Sequence, residues 1–382
     1  MNFGFTEEQE LLRQEVRKFL DAHAPLESVR KVVETPEGFS RDLWRQIGEL
    51  GWLGLTIPES CGGAGLGWVD LTVVLEEIGR TLFPSPYLAT TIAAAAIAEA
   101  GSEAQRRRWL PAIADGSKIA TLAVVEPGER AAPDGIALGA ERAADGFALR
   151  GEKIQVLDGA AADLLVVAFR SGRAPEDVAL AVLERTAPGV SVERIPSIDA
   201  TQRIARVHLD GARVAAADVL SGAPAWPALA RTLDRAAAAV TAEMIGAAEG
   251  ALRLTVGYAR QREQFGSPIG RFQGVKHPLA EMYVDIESFK SLLYYAAWCL
   301  DTGSAEAPRF VSLAKAYASE AFARIGIDAV GLHGGIGYTW EYDAQLYLKR
   351  SKWARPLFGD ADFHYDRIAA GWREGGASWT ST

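Results

Sequence analysis

Two cysteines in a chain of 382 residues are too few to staple a fold of this length. Cys61 and Cys299 also stand far apart, outside any metal-ligand spacing, and read as reduced, buried or half-buried thiols of a cytosolic protein. Long hydrophobic runs are missing as well. The Ala-rich YLATTIAAAAIAEAG is too short and too weakly apolar for a bilayer, which takes about 18 or more uncharged residues. There is no long basic run, and the formal net charge is −9, so nucleic acid and anionic membranes are not evident partners. The basic residues cluster locally instead, which favours a small anionic ligand. The five histidines form no ligand spacing, and His23, His208, His277 and His364 read as surface or capping residues. The opening MNFGFTEEQELLRQEV alternates apolar with charged residues, unlike a signal peptide. No internal repeat is evident.

What is present is a soluble chain with 49% hydrophobic residues, enough for two or three packed units. Thr6 with Gln9 three positions on predicts a capping box, followed by an apolar stripe at Leu12, Val16 and Phe19 or Leu20. Helical spacing continues to about Lys118, with Leu71, Leu75, Ile78 and Leu82 on one face. The Gly-rich break IPESCGGAGLGW reads as more than a linker. Strand-like runs follow, among them TLAVV, FALRGEKIQVL, ADLLVVAFR, VALAVLE and GVSVERI, parted by Gly-rich turns. In ARVHLDGARV, Ala205, Val207 and Leu209 alternate with Arg206 and His208, predicting a half-buried strand. Helical periods return after SGAPAWP. The expected organisation is a helical segment 1–118, a β segment 119–224 and a helical segment 225–382, of class α+β.

One stretch interrupts its own helix. YARQREQFGSPIGRFQGVKHPLAEM places Gly266, Pro268, Gly270 and Gly274 together, yet Val275, Leu279, Met282, Ile286, Phe289 and Leu293 resume a helical stripe. Two long helices joined by a tight loop are expected, with Arg260, Arg262, Arg271 and Phe265 on its rim. A second glycine cluster, GLHGGIGY, holds Gly331, Gly334, Gly335 and Gly337. No strand precedes it, so it is not a dinucleotide fingerprint.

These two stretches, with FTEEQELLRQEVRKFL and VVEPG in the same order, resemble the acyl-CoA dehydrogenase family over essentially the whole chain. The resemblance implies an N-terminal helical domain, a central β-barrel-like domain and a C-terminal four-helix bundle. It implies FAD, an electron-transfer flavoprotein or similar acceptor, and assembly as a tetramer. In the family the interrupted loop crosses a subunit interface to a neighbour's FAD. By that resemblance Arg262 would meet the diphosphate, whose oxygens suit a planar guanidinium. Phe265 would pack on the flavin's linker or adenosine portion, and Gln273 would hydrogen-bond nearby. Gly331, His333, Gly334 and Gly335 would lie against adenine and ribose. Asp234 would meet the CoA arm of the substrate, or serve as a carboxylate beside a helix dipole.

The family reaction removes a proton α to a thioester and passes a hydride to flavin, with a glutamate as base. Both usual places for that glutamate are filled otherwise here, by Phe358 in PLFGDADFH and by Ala236 in TLDRAAAAV. Glu243, seven residues after Ala236 and flanked by Ala242, Met244 and Ile245, is the leading replacement, and Asp360 the other. Family residues around the flavin ring correspond to Val125, Gln155 and Leu157, and the Gly-Ser continuation to GERAA. The FGD pattern resembles a bacterial branch in which two unlike subunits form an α2β2 tetramer. Two readings stand: a dehydrogenase complete in itself, acting on a bulky or branched acyl-CoA, or a partner subunit that lends Arg262 and Phe265 to another chain's FAD. A third is flavin use without α-proton abstraction.

Overall fold

A computed structural model describes residues 4–128, 134–174 and 176–374. The part of GERAA from Glu129 onward lies outside them. The chain gathers into two compact units. The first comprises the chain up to Arg30, Trp68–Phe83 and the chain from Ala236 on; the second comprises Lys31–Gly67 and Pro84–Arg235.

The first unit is helical. Helix α1 (Glu7–His23) starts where the sequence places it: Thr6 Oγ1 accepts from the Gln9 amide and Gln9 Oε1 accepts from the Thr6 amide. It buries Val16 and Leu20. Helix α2 (Leu26–Val33) follows, and α3 (Arg41–Glu49) belongs to the second unit. Helix α4 (Trp68–Thr81) is buried almost all round, and Leu82 falls just beyond it at φ +53°. The α4 backbone runs close to that of a long helix beginning at Ala225. A Cβ on Gly79 would lie 2.0 Å from the Glu243 carbonyl oxygen, and one on Gly246 would lie 1.7 Å from that of Glu76. Only glycine permits that crossing.

In the second unit α5 (Tyr87–Ala100) and α6 (Glu103–Ala114) pack on a three-stranded sheet of β1 (Ala120–Ala123), β4 (Leu164–Arg170) and β5 (Val178–Glu184), ordered β1-β4-β5. Ala93, Ile97, Leu110, Ile113, Val166 and Leu180 meet in that core. Four antiparallel strands make the other sheet: β2 (Gly139–Ala143), β3 (Gly146–Leu157), β6 (Val190–Ile195) and β7 (Ile204–Ala215), ordered β2-β3-β7-β6. The alternation expected in β7 is there, with Ala205, Val207 and Leu209 buried. Strand β2 carries no apolar alternation and is not announced by its sequence. The barrel-like arrangement resolves into these two open sheets; no closed barrel forms among the described residues.

The first unit is completed by the rest of α7 (Ala225–Gln261), a short ladder of β8 (Glu263–Gln264) with β9 (Ser267–Pro268), α8 (Gln273–Asp301), α9 (Ala307–His333), α10 (Ala344–Ala354) and α11 (Ala361–Glu374). The α8 stripe is buried from Met282 onward, whereas Val275 and Leu279 are half-buried.

Candidate functional site

The interruption between α7 and α8 is more ordered than a loop. Glu263 and Gln264 pair antiparallel with Pro268 and Ser267 around Phe265–Gly266, at φ +55° and +75°. Two left-handed residues make a hairpin turn whose twist matches its strands, and glycine suits the second of them. A phenylalanine at positive φ is uncommon. Phe265 is 93% exposed and meets Phe272 edge-on at 6.0 Å. Arg262 opens the hairpin: its amide donates to Tyr258 O, and its carbonyl accepts from the Ile269 amide. The side chains of Arg260, Arg262 and Arg271 are exposed, as is Gln273 at the start of α8.

The second glycine cluster ends α9 and continues as a 3-10 turn, Gly334–Tyr338. A Cβ on Gly331 or Gly335 would meet nothing within 4 Å, so packing within this chain explains neither, whereas Gly334 ends α9 at φ +65°, a conformation that favours glycine. Gly337 differs, since its Cβ would lie 2.6 Å from Val330 O. His333 is buried; Nδ1–H donates to Ala329 O at 2.6 Å, and Nε2 has no hydrogen-bond partner. Burial lowers its pKa, against the hydrogen bond to Ala329 O, which raises it. Its ring lies 4.5 Å from Tyr258 and 4.8 Å from Tyr342. The Tyr258 stack joins the end of α7 to the end of α9, bringing the hairpin and the glycine turn together. Arg30 bonds Trp340 O, Tyr342 O and Asp343, fixing the next turn. A cleft of about 590 Å³ opens beside Tyr258, walled by Arg80, Arg253, Gln261, Tyr342 and Tyr347 among others.

The candidate bases stand elsewhere. Glu243 is buried on α7, as the flanking residues predict, but Arg350 Nη1 lies 3.3 Å from its Oε2. A buried guanidinium offsets the desolvation on which a base at this position would depend. Nothing in the spacing around Glu243 signals Arg350, more than a hundred residues away. Asp360 is exposed; its Oδ1 caps α11 by accepting from the Phe363 amide at 2.9 Å. Ala236 is buried, and Phe358 is half-buried at φ +55°. His364 corrects its sequence reading: it is fully buried, not a surface residue, because Ser312 and the Phe358 carbonyl bond both of its ring nitrogens.

Asp234, in the second unit, is buried at 6% exposure. Gln155 sits exposed at φ +54° in a bulge of β3, and Leu157 is buried. Beside that bulge is a pair the motif reading missed. Lys153 Nζ donates to Glu126 Oε1 at 2.6 Å and to Val124 O at 2.9 Å, while the Glu126 carboxylate accepts from the Ala137 and Leu138 amides. Burial pushes the Lys153 ammonium down to about 8 against the pull of Glu126. The available signal was a lysine four residues from Leu149 on the buried face of β3.

Residues 6–117 match the acyl-CoA dehydrogenase N-terminal domain, and residues 226–372 match the acyl-CoA dehydrogenase C-terminal domain. Acyl-CoA dehydrogenase IpdE2 of Mycolicibacterium smegmatis is 34% identical over 366 residues, covering 96% of this chain and 99% of that protein. Among solved structures, the Tcur3481-Tcur3483 steroid ACAD is 34% identical at a TM-score of 0.87, covering 97% of this chain and 99% of its own. The ChsE4-ChsE5 complex from Mycobacterium tuberculosis contains a chain 30% identical at a TM-score of 0.89, covering 99% and 100%.

Proposed function

This chain belongs to the acyl-CoA dehydrogenase family, and from that premise we propose that it serves the α,β-desaturation of a bulky or branched acyl-CoA. The observation that carries the cofactor half is the bare face made by the hairpin and the glycine turn. Exposed arginines and an exposed phenylalanine stand near glycines that no contact within the chain requires. Such a face fits a long, doubly charged nucleotide such as FAD. Arg262 would hold its diphosphate, Phe265 and Gln273 would flank it, and Gly331, His333, Gly334 and Gly335 would receive adenosine. The buried Nε2 lone pair of His333 is an acceptor in keeping with that role. Bound FAD supplies the hydride acceptor. Asp234 would meet the CoA arm. If the chain works alone, Glu243 or Asp360 takes the α-proton, and an electron-transfer flavoprotein or similar protein receives the electrons.

A second reading has a specific observation in its favour. Glu243 is paired with Arg350, Asp360 caps a helix, and Phe358 and Ala236 stand in the usual places of the glutamate. This combination favours a heterotetramer in which another dehydrogenase chain supplies the base. The ChsE4-ChsE5 complex, as its name says, joins two components, in keeping with such an arrangement. The deciding experiment is co-purification from the native host, with a count of distinct chains and of flavins, followed by acyl-CoA addition. Bleaching of flavin absorbance near about 450 nm by the chain alone supports the first reading. Bleaching only with a glutamate-bearing partner supports the second. Protein that stays colourless after FAD soaking and partner addition overturns both.

A further inference from the structure

The cleft beside Tyr258 stands apart from the face made by the hairpin and the glycine turn. Arg262, Phe265, Gly334 and Gly335 are not among its walls, which belong to the first unit throughout. Its volume, about 590 Å³, lies within the range of small-molecule sites, roughly 300–1,000 Å³. Helix α7 lines one side. Arg253, Gly257 and Gln261 follow at steps of four and so stand in a row on one helix face. Glycine is disfavoured inside a helix. Gly250, earlier on α7, is explained by packing, since a Cβ there would lie 2.7 Å from Tyr347 Cε1 and 2.8 Å from Arg80 O. At Gly257 a Cβ would meet nothing within 4 Å. Glycine at that point gives the cleft a bare strip of helix backbone.

The charges around the cleft do not cancel. Arg80, 6% exposed, donates from Nε to Glu77 and holds Nη2 2.8 Å from Asp21 Oδ1, yet that buried nitrogen makes no hydrogen bond. Glu77 is shared with Arg17. Arg17 and Arg80 are thus met by two carboxylates. Arg253 is exposed on the wall of the cleft and has no ion pair among the described residues. The charge left unmatched is therefore a single positive one. Beside it the cleft is apolar and aromatic. Ala24, Pro25 and Leu26 line it between α1 and α2, Leu254 lines it from α7, and the Tyr258 and Tyr342 rings stand 6.1 Å apart at 69°.

We infer that this cleft binds an amphiphilic organic monocarboxylate, with its carboxylate on Arg253 and its ring or branched chain laid over the bare backbone at Gly257. A guanidinium meets a carboxylate through two parallel N–H donors. The second charge of a phosphate would go unmatched, with Asp21 on the same wall. The site is separate from the proposed FAD and acyl-CoA contacts and does not depend on them.

Isothermal titration of the protein as purified, with whatever flavin and partner chain accompany it, tests this. The probes are cyclohexanecarboxylate, its neutral carboxamide, acetate and inorganic phosphate, at about pH 7, where the carboxylates are ionised. Cyclohexanecarboxylate should bind saturably, and the carboxamide and acetate about tenfold more weakly or worse. Arg253→Gln should weaken the carboxylate about tenfold and leave the carboxamide unchanged. Gly257→Leu should fill the cleft and abolish binding of both. It should also melt no lower than wild type, because leucine favours helix and its side chain enters open space. Flavin content should be equal in all three proteins. No saturable binding below about 10 mM overturns the inference, as does phosphate binding as tight as the carboxylate's. So does a carboxylate affinity unmoved by Arg253→Gln or by a folded Gly257→Leu. Binding that disappears together with flavin places the probe on the cofactor face and overturns it as well. Should Gly257→Leu fail to fold, Arg253→Gln, at an exposed position, decides alone.

Discussion

Arg262 and Arg350 are two arginines of one helical unit with opposite surroundings, and their chemistry follows from that difference. Arg262 is exposed at the hairpin. Removing it takes away the proposed contact to the FAD diphosphate and none that the core needs, so Arg262→Ala should weaken FAD retention about tenfold or more with an unchanged melting temperature. Flavin-to-protein ratios after gel filtration, beside a thermal melt, check both halves. Arg350 is buried against Glu243. Glu243→Gln removes the carboxylate that stands 3.3 Å from this buried guanidinium and should cost about 3 kcal/mol of stability. Urea denaturation reads this directly. If Glu243 is also the base, the rate of flavin reduction by acyl-CoA collapses in the same variant. Glu243 was legible in the sequence as a carboxylate among apolar neighbours; its partner was not, because helical spacing says nothing about a side chain arriving from α10.

At the scale of elements, charge lies in the interior beside the glycine crossing of α4 and α7. Glu76, on α4, is fully buried with Arg13 of α1 at 2.9 Å, and Lys290 of α8 bonds Glu249 of α7 at 2.6 Å close by. Tyr294 of α8 completes the group by accepting from Arg13. Burial outweighs the attraction of Arg13 and pushes the Glu76 carboxyl up to about 7. Its folded pKa therefore lies above the unfolded one, and between the two values the folded state holds more protons. Stability should fall as pH rises from about 4.5 to about 7, by about 3 kcal/mol from this group alone. Denaturation midpoints compared between wild type and Glu76→Gln should show this slope in the first and its loss in the second; parallel slopes would refute it. Elements with a clear period, such as α1, the later part of α8 and β7, were readable in advance. Strand β2 and the Phe265 hairpin were not. The first has no apolar alternation, and the second needs a left-handed phenylalanine that propensity disfavours.

At the scale of the molecule, a phenylalanine 93% exposed on a strained turn asks for a covering surface. If the hairpin reaches a neighbour's cofactor, a lone chain cannot complete a site, and light scattering should give a dimer or tetramer, the closed assemblies commonest for such contacts. A stable monomer with full flavin occupancy would refute the cross-subunit role. Among the described residues, no helix is long and apolar enough to cross a membrane.

The sequence by itself determined the helical, then β, then helical order of the chain, the Thr6 cap, the places of Gly266 and Gly334 and, through four motifs in order, the family. Each is a local property, set by side-chain period or by backbone freedom at one position. Tertiary structure alone decided what the titratable groups face: Arg350 against Glu243, Lys153 against Glu126, Arg13 against Glu76. The two partners of such a pair stand tens of residues apart or more, and their charge and basicity depend on burial and on neighbours that only folding brings within a few ångströms.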